Sequence, residues 1–135
     1  MSNQFLQLIE KRRSIYAIGK HVEQTPTYLT DLIQNAIKQS PSSFNSQSSR
    51  AVILFNAEHE KFWDLVKAQL KAYAKDAESA AKTDAKIDSF AAGLGTVLFF
   101  EDQEVVAGLQ ANFPSYADNF PIWSEHSTAI AQFAT

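Results

Sequence analysis

The stretch from Thr25 to Asn56, TPTYLTDLIQNAIKQSPSSFNSQSSRAVILFN, contains in order a helix, a polar loop and a strand. Thr25-Pro26 reads as an N-cap followed by proline at the first helical position, where proline's missing N–H costs nothing. Leu29, Leu32, Ile33, Ala36 and Ile37 then recur at i, i+3, i+4, i+7 and i+8, the spacing of one apolar helix face. From Ser40 to Ser49 the chain offers almost only hydroxyls, amides and Pro41, the composition of a loop. Ala51 to Asn56 is a short apolar run rich in branched and aromatic residues, which predicts a strand.

Working outward, Phe5, Leu6 and Ile9 give a short apolar face to a helix that runs into Lys11-Arg12-Arg13-Ser14 and is expected to end near Ser14. On the other side, Phe62, Leu65, Val66, Leu70 and Tyr73 keep helical spacing. The Lys, Asp and Glu residues between Lys61 and Lys86 read as a solvated helical face. Thr96 to Phe100 predicts a second buried strand, introduced by Gly93 and Gly95. The acids Glu101, Asp102 and Glu104 follow it and suit a helix start, where they meet the positive end of the macrodipole. Pro114 and Pro121 break the next stretch, and Trp123 to Thr135 reads as a helix with Trp123, Ser127, Ile130 and Ala134 towards one side. No glycine, proline or basic residue closes that helix, so the chain is expected to stop inside an element and to be incomplete at its carboxy terminus. Two strands among several helices predict an α+β class, as a single domain over residues 1–135.

Composition removes several function classes. With 45% hydrophobic and 20% charged residues, the chain has the means to fold around a core. It contains no cysteine, so thiolate catalysis and thiolate metal sites are excluded. His21, His59 and His126 are scattered without metal-ligand spacing or a serine–aspartate context, and they read as surface or satisfied histidines; no metal site and no catalytic side chain are expected. The only arginines are Arg12, Arg13 and Arg50, and from Ile87 to Thr135 there are six acids and no Lys or Arg. That half repels a nucleic acid, leaving a small anion near the arginines as the plausible charged ligand. The amino terminus lacks the basic flank and apolar run of a secretory signal, and no segment approaches the ~20 apolar residues of a membrane span, which reads as a cytoplasmic protein without a membrane partner.

Two segments carry chemistry. Arg12-Arg13-Ser14 supplies a guanidinium fork, a second charge and a hydroxyl within three residues, a donor set suited to phosphate. Cations at a helix end also simply complement its dipole, and serine and asparagine are what any loop uses, so neither segment alone names a function. Together, Arg12-Arg13-Ser14 and Pro41-Ser42-Ser43-Phe44-Asn45-Ser46-Gln47 resemble the paired amino-terminal motifs of the nitroreductase superfamily. The segments 99–102, 113–117 and 120–124 further resemble a subgroup containing fungal nitroreductase-like proteins and their bacterial relatives.

This resemblance implies a nitroreductase-like fold, a central antiparallel-type sheet surrounded by helices, of which the chain looks like the amino-terminal two-thirds. It implies a homodimer with FMN at the subunit interface and NADH or NADPH as electron donor. Arg12, Arg13 and Ser14 would then lie at the phosphate and ribityl side, with Pro41, Ser42, Ser43 and Asn45 reaching the flavin from the partner subunit. Tyr16 stands where many bacterial members carry a basic residue near the flavin, and Gln47 is a further candidate. Phe113, Tyr116 and Trp123, with Phe120 beside them, are core or interface aromatics by type, and by resemblance they border the pocket for a small aromatic electron acceptor. The implied activity is ping-pong reduction of nitroaromatics, quinones or related acceptors. The alternatives are a flavin-binding regulatory or stress-response protein with little turnover, and a helical interaction module without a cofactor.

Overall fold

A computed structural model describes residues 3–135, which group into two compact units. The first comprises the chain up to His21 together with Ala57–Leu94; the second comprises Val22–Asn56 and Gly95–Thr135.

In the first unit, helix α1 (Gln4–Lys11) begins where the Asn3 side chain accepts hydrogen bonds from the Phe5 and Leu6 amides. It stops at Lys11: Arg12 already has extended dihedrals (φ −60°, ψ 126°), so the arginines follow the helix and do not form its last turn. The charged interval that reads as one solvated face is split between α3 (Asn56–Lys71) and α4 (Ala77–Ala91). Tyr73 lies beyond α3, in the break between them. The break is set by Asp76, whose carboxylate accepts from the Ser79 amide while the Ser79 hydroxyl accepts from the Asp76 amide, a reciprocal capping box. Trp63 packs against Phe90 at 5.5 Å and Phe62 at 5.0 Å, with Ile87 buried. His59, only 1% exposed, has Nε2 3.0 Å from the Ala91 carbonyl oxygen, so this histidine is the satisfied one its sequence context suggests.

The Ser79 amide, and then its hydroxyl, hold the Asp76 carboxyl below the ordinary aspartate range. A depressed folded-state value contributes stability above the unfolded value, near pH 4, and that stability is lost as pH falls through the folded value. Asp76→Ala is therefore expected to melt below the wild type at neutral pH. The gap should close as the pH is lowered below about 4, which thermal melts followed by circular dichroism across pH will show.

In the second unit, α2 (Pro26–Gln39) is capped as the sequence suggests, the Thr25 hydroxyl accepting from the Tyr28 amide at 3.2 Å. A 3₁₀ turn (Ser43–Asn45) leads to β1 (Ser49–Phe55), which pairs antiparallel with β2 (Gly95–Glu101) from Ser49 opposite Glu101 to Phe55 opposite Gly95. A Cβ on Gly95 would sit 2.7 Å from both the Leu54 carbonyl oxygen and the Phe55 ring, so only glycine lets β2 start there. Asp102 caps α5 (Gln103–Asn112) through the Glu104 amide. Pro114 opens a second 3₁₀ turn (Pro114–Asn119), and Pro121 lies in the first turn of α6 (Phe120–Ala134), which it starts rather than breaks.

Helix α6 packs on the sheet face that carries Ser49 and Glu101, and of the residues expected towards one side, Ser127 is buried and Trp123 half-buried while Ile130 and Ala134 are exposed. Its buried residues are Phe120, Ser124, Ser127, Thr128 and Ala131, while Ile130 is 45% and Phe133 54% exposed. Both sets keep helical spacing. The interior accepts the small hydroxyl residues because each hydroxyl has an acceptor: Ser124 donates to the Pro121 carbonyl and Ser127 to the Trp123 carbonyl, both at 2.8 Å, and Thr128 donates to the Glu101 carboxylate.

Candidate functional site

The loop after α2 is held in an uncommon backbone path. Phe44, Asn45 and Gln47 all have positive φ (55°, 51° and 50°), and such conformations cost of order 1 kcal/mol or more unless neighbours enforce them. Asparagine tolerates this region, whereas phenylalanine does not, and the Phe44 ring explains how it is held. It lies 5.1 Å from Phe113, 5.7 Å from Tyr116, 5.1 Å from Phe120 and 5.9 Å from Trp123, the last nearly parallel at 17°. Polar contacts add to this: the Gln47 amide donates to the Ser42 hydroxyl at 3.0 Å, Gln47 Nε2 donates to Asn45 Oδ1 at 3.1 Å, and the Ser43 amide donates to the Ser127 hydroxyl at 3.2 Å.

Part of the loop's polar equipment is thus spent on its own shape. That leaves the Asn45 side-chain Nδ2 and the Gln47 side-chain Oε1 outside these bonds, and the Ser46 and Ser48 hydroxyls are buried with no hydrogen-bond partner among the described residues. Pro41, Ser42, Asn45 and Gln47, with Lys38 and Ser127, line a cleft of about 220 Å³. Pockets for drug-sized ligands run to roughly 300–1,000 Å³, so this cleft by itself takes only a portion of such a ligand.

Phe113, Tyr116 and Trp123 are brought together, joined by Phe44. Phe113 and Tyr116 keep exposed faces and Trp123 is half-buried, whereas Phe120, 2% exposed, is a core residue under them. Sequence reasoning offers no pointer to Phe44 as their hub, because a lone phenylalanine in a serine-rich loop has no periodicity.

One acid and one arginine take roles different from those expected. Glu101 ends β2 and does not start α5: one of its oxygens accepts from the Thr128 hydroxyl, itself in contact with the Ser49 hydroxyl, and the other is buried without a partner among the described residues. Arg50 is no free cation for an anion. Its guanidinium donates to Asp102 at 2.8 Å, to the Gln47 carbonyl at 2.8 Å and to the Ser49 carbonyl at 3.1 Å, pinning the end of the loop to the cap of α5. Thr128→Val keeps the shape of the side chain but strips Glu101 and Ser49 of their shared hydroxyl. We expect a loss of about 1–3 kcal/mol in urea unfolding.

In the first unit, Arg12, Arg13 and Ser14 are exposed, and neither guanidinium pairs with a carboxylate among the described residues. Arg13 Nη1 donates to the Arg12 carbonyl at 2.7 Å, which leaves its remaining donors for a ligand. Tyr16 is 68% exposed, and the Lys86 ammonium lies 4.7 Å from the centre of its ring. Among the described residues no group of His, Asp and Glu could hold a metal ion, and no helix is long and apolar enough to cross a membrane.

Residues 9–134 match the model of the nitroreductase family. The chain belongs to the nitroreductase family. It is 36% identical over 130 residues to HBN1 of Saccharomyces cerevisiae, a protein provisionally named a nitroreductase, and 32% identical over 132 residues to the nitroreductase FRM2 of the same yeast. Each match takes in 95% of this chain but only 64% of the relative, so the chain spans less than two thirds of their length. Among solved structures, the nitroreductase CinD of Lactococcus lactis in complex with chloramphenicol superposes with a TM-score of 0.83 at 44% identity, over 96% of this chain and 65% of CinD. A nitroreductase from Saccharomyces cerevisiae superposes equally well, at 0.83 and 29% identity, over 97% of this chain and 71% of that one. The mixture of helices with a small antiparallel sheet is therefore the nitroreductase fold, as the motif pair implies.

Proposed function

We propose that this chain is the FMN-binding part of an NAD(P)H-dependent oxidoreductase that reduces nitroaromatics, quinones or related acceptors, working as a homodimer with FMN at the subunit interface. The observation that carries this reading is the pair of guanidinium groups free of carboxylate partners beside Ser14, in a chain whose residues 9–134 match the nitroreductase family. That one family match runs through both compact units supports treating them as parts of one domain. The donor chemistry fits the cofactor: cations and a hydroxyl for a phosphate, hydroxyls and amides for ribityl oxygens. The small size of the cleft agrees with a site completed by a second chain.

In this reading Arg12 and Arg13 donate to the phosphate and Ser14 adds its hydroxyl. Pro41, Ser42, Ser43, Asn45 and Gln47 approach from the partner subunit, and Tyr16 borders the same ligand. Phe113, Tyr116 and Trp123 offer a flat apolar surface to an aromatic acceptor and keep water from it. Bound flavin would supply the hydride chemistry, taking hydride from NADH or NADPH and, once the oxidised donor has left, passing it to the acceptor. No side chain of this chain is assigned a proton-transfer step. CinD has been solved with 4-nitrophenol, with chloramphenicol and with nicotinic acid, two nitroaromatics and a pyridine acid akin to the nicotinamide head; these ligands support the same substrate classes here.

The test is the visible spectrum of the purified protein together with NADH and NADPH oxidation in the presence of 4-nitrophenol or a quinone. Flavin absorption with acceptor-dependent oxidation is expected. Bound flavin without turnover would favour a flavin-binding regulatory protein of the same fold, and a colourless protein whose melting temperature is unmoved by FMN would remove the cofactor from the reading.

A further inference from the structure

Arg50 follows the serine-rich loop closely, yet it does not face the cleft. Its neighbour Ser49 lines the cleft and Arg50 does not, because successive side chains of β1 leave on opposite faces of the sheet. Whatever occupies the cleft therefore meets Ser49 and not Arg50. The guanidinium is spent on the protein itself: Nη2 donates to Asp102 Oδ2 at 2.8 Å, while Nη1 donates to the carbonyls of Gln47 at 2.8 Å and Ser49 at 3.1 Å. Asp102 is fixed in turn, since its other oxygen accepts from the Glu104 amide at the start of α5.

The bond to Gln47 falls where the backbone needs it. Gln47 has φ 50°, a region that glutamine seldom enters unaided, and a guanidinium anchored on Asp102 fixes its carbonyl. The Gln47 side chain then sets Asn45: Nε2 donates to Asn45 Oδ1 at 3.1 Å, which decides which end of the Asn45 amide is left over. Asn45 lines the cleft beside Pro41 and Ser42. A continuous path thus runs from Asp102 through Arg50 and Gln47 to Asn45, inside one compact unit. We propose that Arg50 is a positioning residue for the cofactor: braced on Asp102, it holds Gln47 so that Asn45 presents its side-chain Nδ2 to a hydroxyl of the flavin's ribityl chain. This rests on the flavin reading above and gives Arg50 a part distinct from that of Arg12 and Arg13, since it meets no phosphate.

The test titrates the full chain with FMN, with riboflavin, which lacks the phosphate, and with lumiflavin, which also lacks the ribityl chain, following flavin fluorescence. R50M should weaken FMN and riboflavin alike, about 3- to 10-fold, and leave lumiflavin affinity and the salt dependence of FMN binding as in the wild type. R50K keeps a charge for Asp102 but lacks the fork that spans a carboxylate and two carbonyls at once, so it should share most of the loss. The Arg50–Asp102 pair is partly exposed and contributes little to stability, so R50K should unfold in urea with the wild type. N45A should lose at least as much affinity as R50M, and the double variant no more than N45A alone, because Arg50 acts through Asn45. Additive losses, an equal loss for lumiflavin, or a loss for FMN that spares riboflavin would overturn the positioning role, the last by making Arg50 a phosphate contact. R12A keeps the two readings distinct: weakened FMN binding in R12A beside an unaffected R50M removes Arg50 alone, whereas a wild type that binds no FMN removes the flavin reading and this one with it.

Discussion

Phe120→Ala is expected to destabilise the second unit by about 3–5 kcal/mol, the range for truncating a buried phenylalanine. Phe120 is 2% exposed and packs edge-on against Phe44 at 5.1 Å and Trp123 at 5.5 Å, so the truncation opens a cavity lined by aromatic rings that cannot collapse into it. A second cost follows from the loop. The left-handed conformation of Phe44 is maintained by the ring contacts of its side chain, and with one of those surfaces gone the strained backbone from Phe44 to Gln47 loses part of its support. Single domains are stable by only about 5–15 kcal/mol, so the variant should melt far below the wild type and lose the near-ultraviolet signal of the aromatic cluster first. A variant that unfolds in urea within 1 kcal/mol of the wild type would show that the cluster does not hold the loop.

The second large effect belongs to the phosphate contacts. Replacing both Arg12 and Arg13 by alanine removes two charge-assisted hydrogen-bonding groups, each worth about 1.5–3 kcal/mol, so FMN affinity should fall by on the order of 100-fold or more. Riboflavin affinity should change little, since the missing partners are those of the phosphate. Both side chains are exposed and unpaired with acids, so the melting temperature of the flavin-free protein should stay within a degree or two of the wild type. Loss of FMN binding with intact stability supports the placement; FMN titrations with wild-type affinity would remove both arginines from the site.

Helix α2 and the strands are legible because their signals are local. The Thr25 cap, the proline after it and the 3.6-residue period act within a few residues, and each is found in the structure. The two strands differ from their expected spans by two residues or fewer at each end. Where reading fails, a long-range contact decides. Serine and threonine go inside α6 because a carboxylate at the end of β2 and a hydroxyl at the start of β1 wait for Thr128, and no window of the sequence contains all three. Glu101 accordingly leaves the helix start that its acidic neighbours suggest. Arg50 is likewise committed to Asp102, which lies 52 positions away.

From its sequence alone this protein is determined to be an α+β chain without thiol chemistry, carrying the two motifs of the nitroreductase family, because residue type and near-neighbour spacing suffice for those conclusions. Only the tertiary structure decided which side of α6 is buried, that Phe44 gathers Phe113, Tyr116, Phe120 and Trp123 beneath a strained loop, and that Lys86 rests on Tyr16. These depend on pairings between distant positions, which folding sets through packing and hydrogen-bond satisfaction and which local hydropathy does not encode.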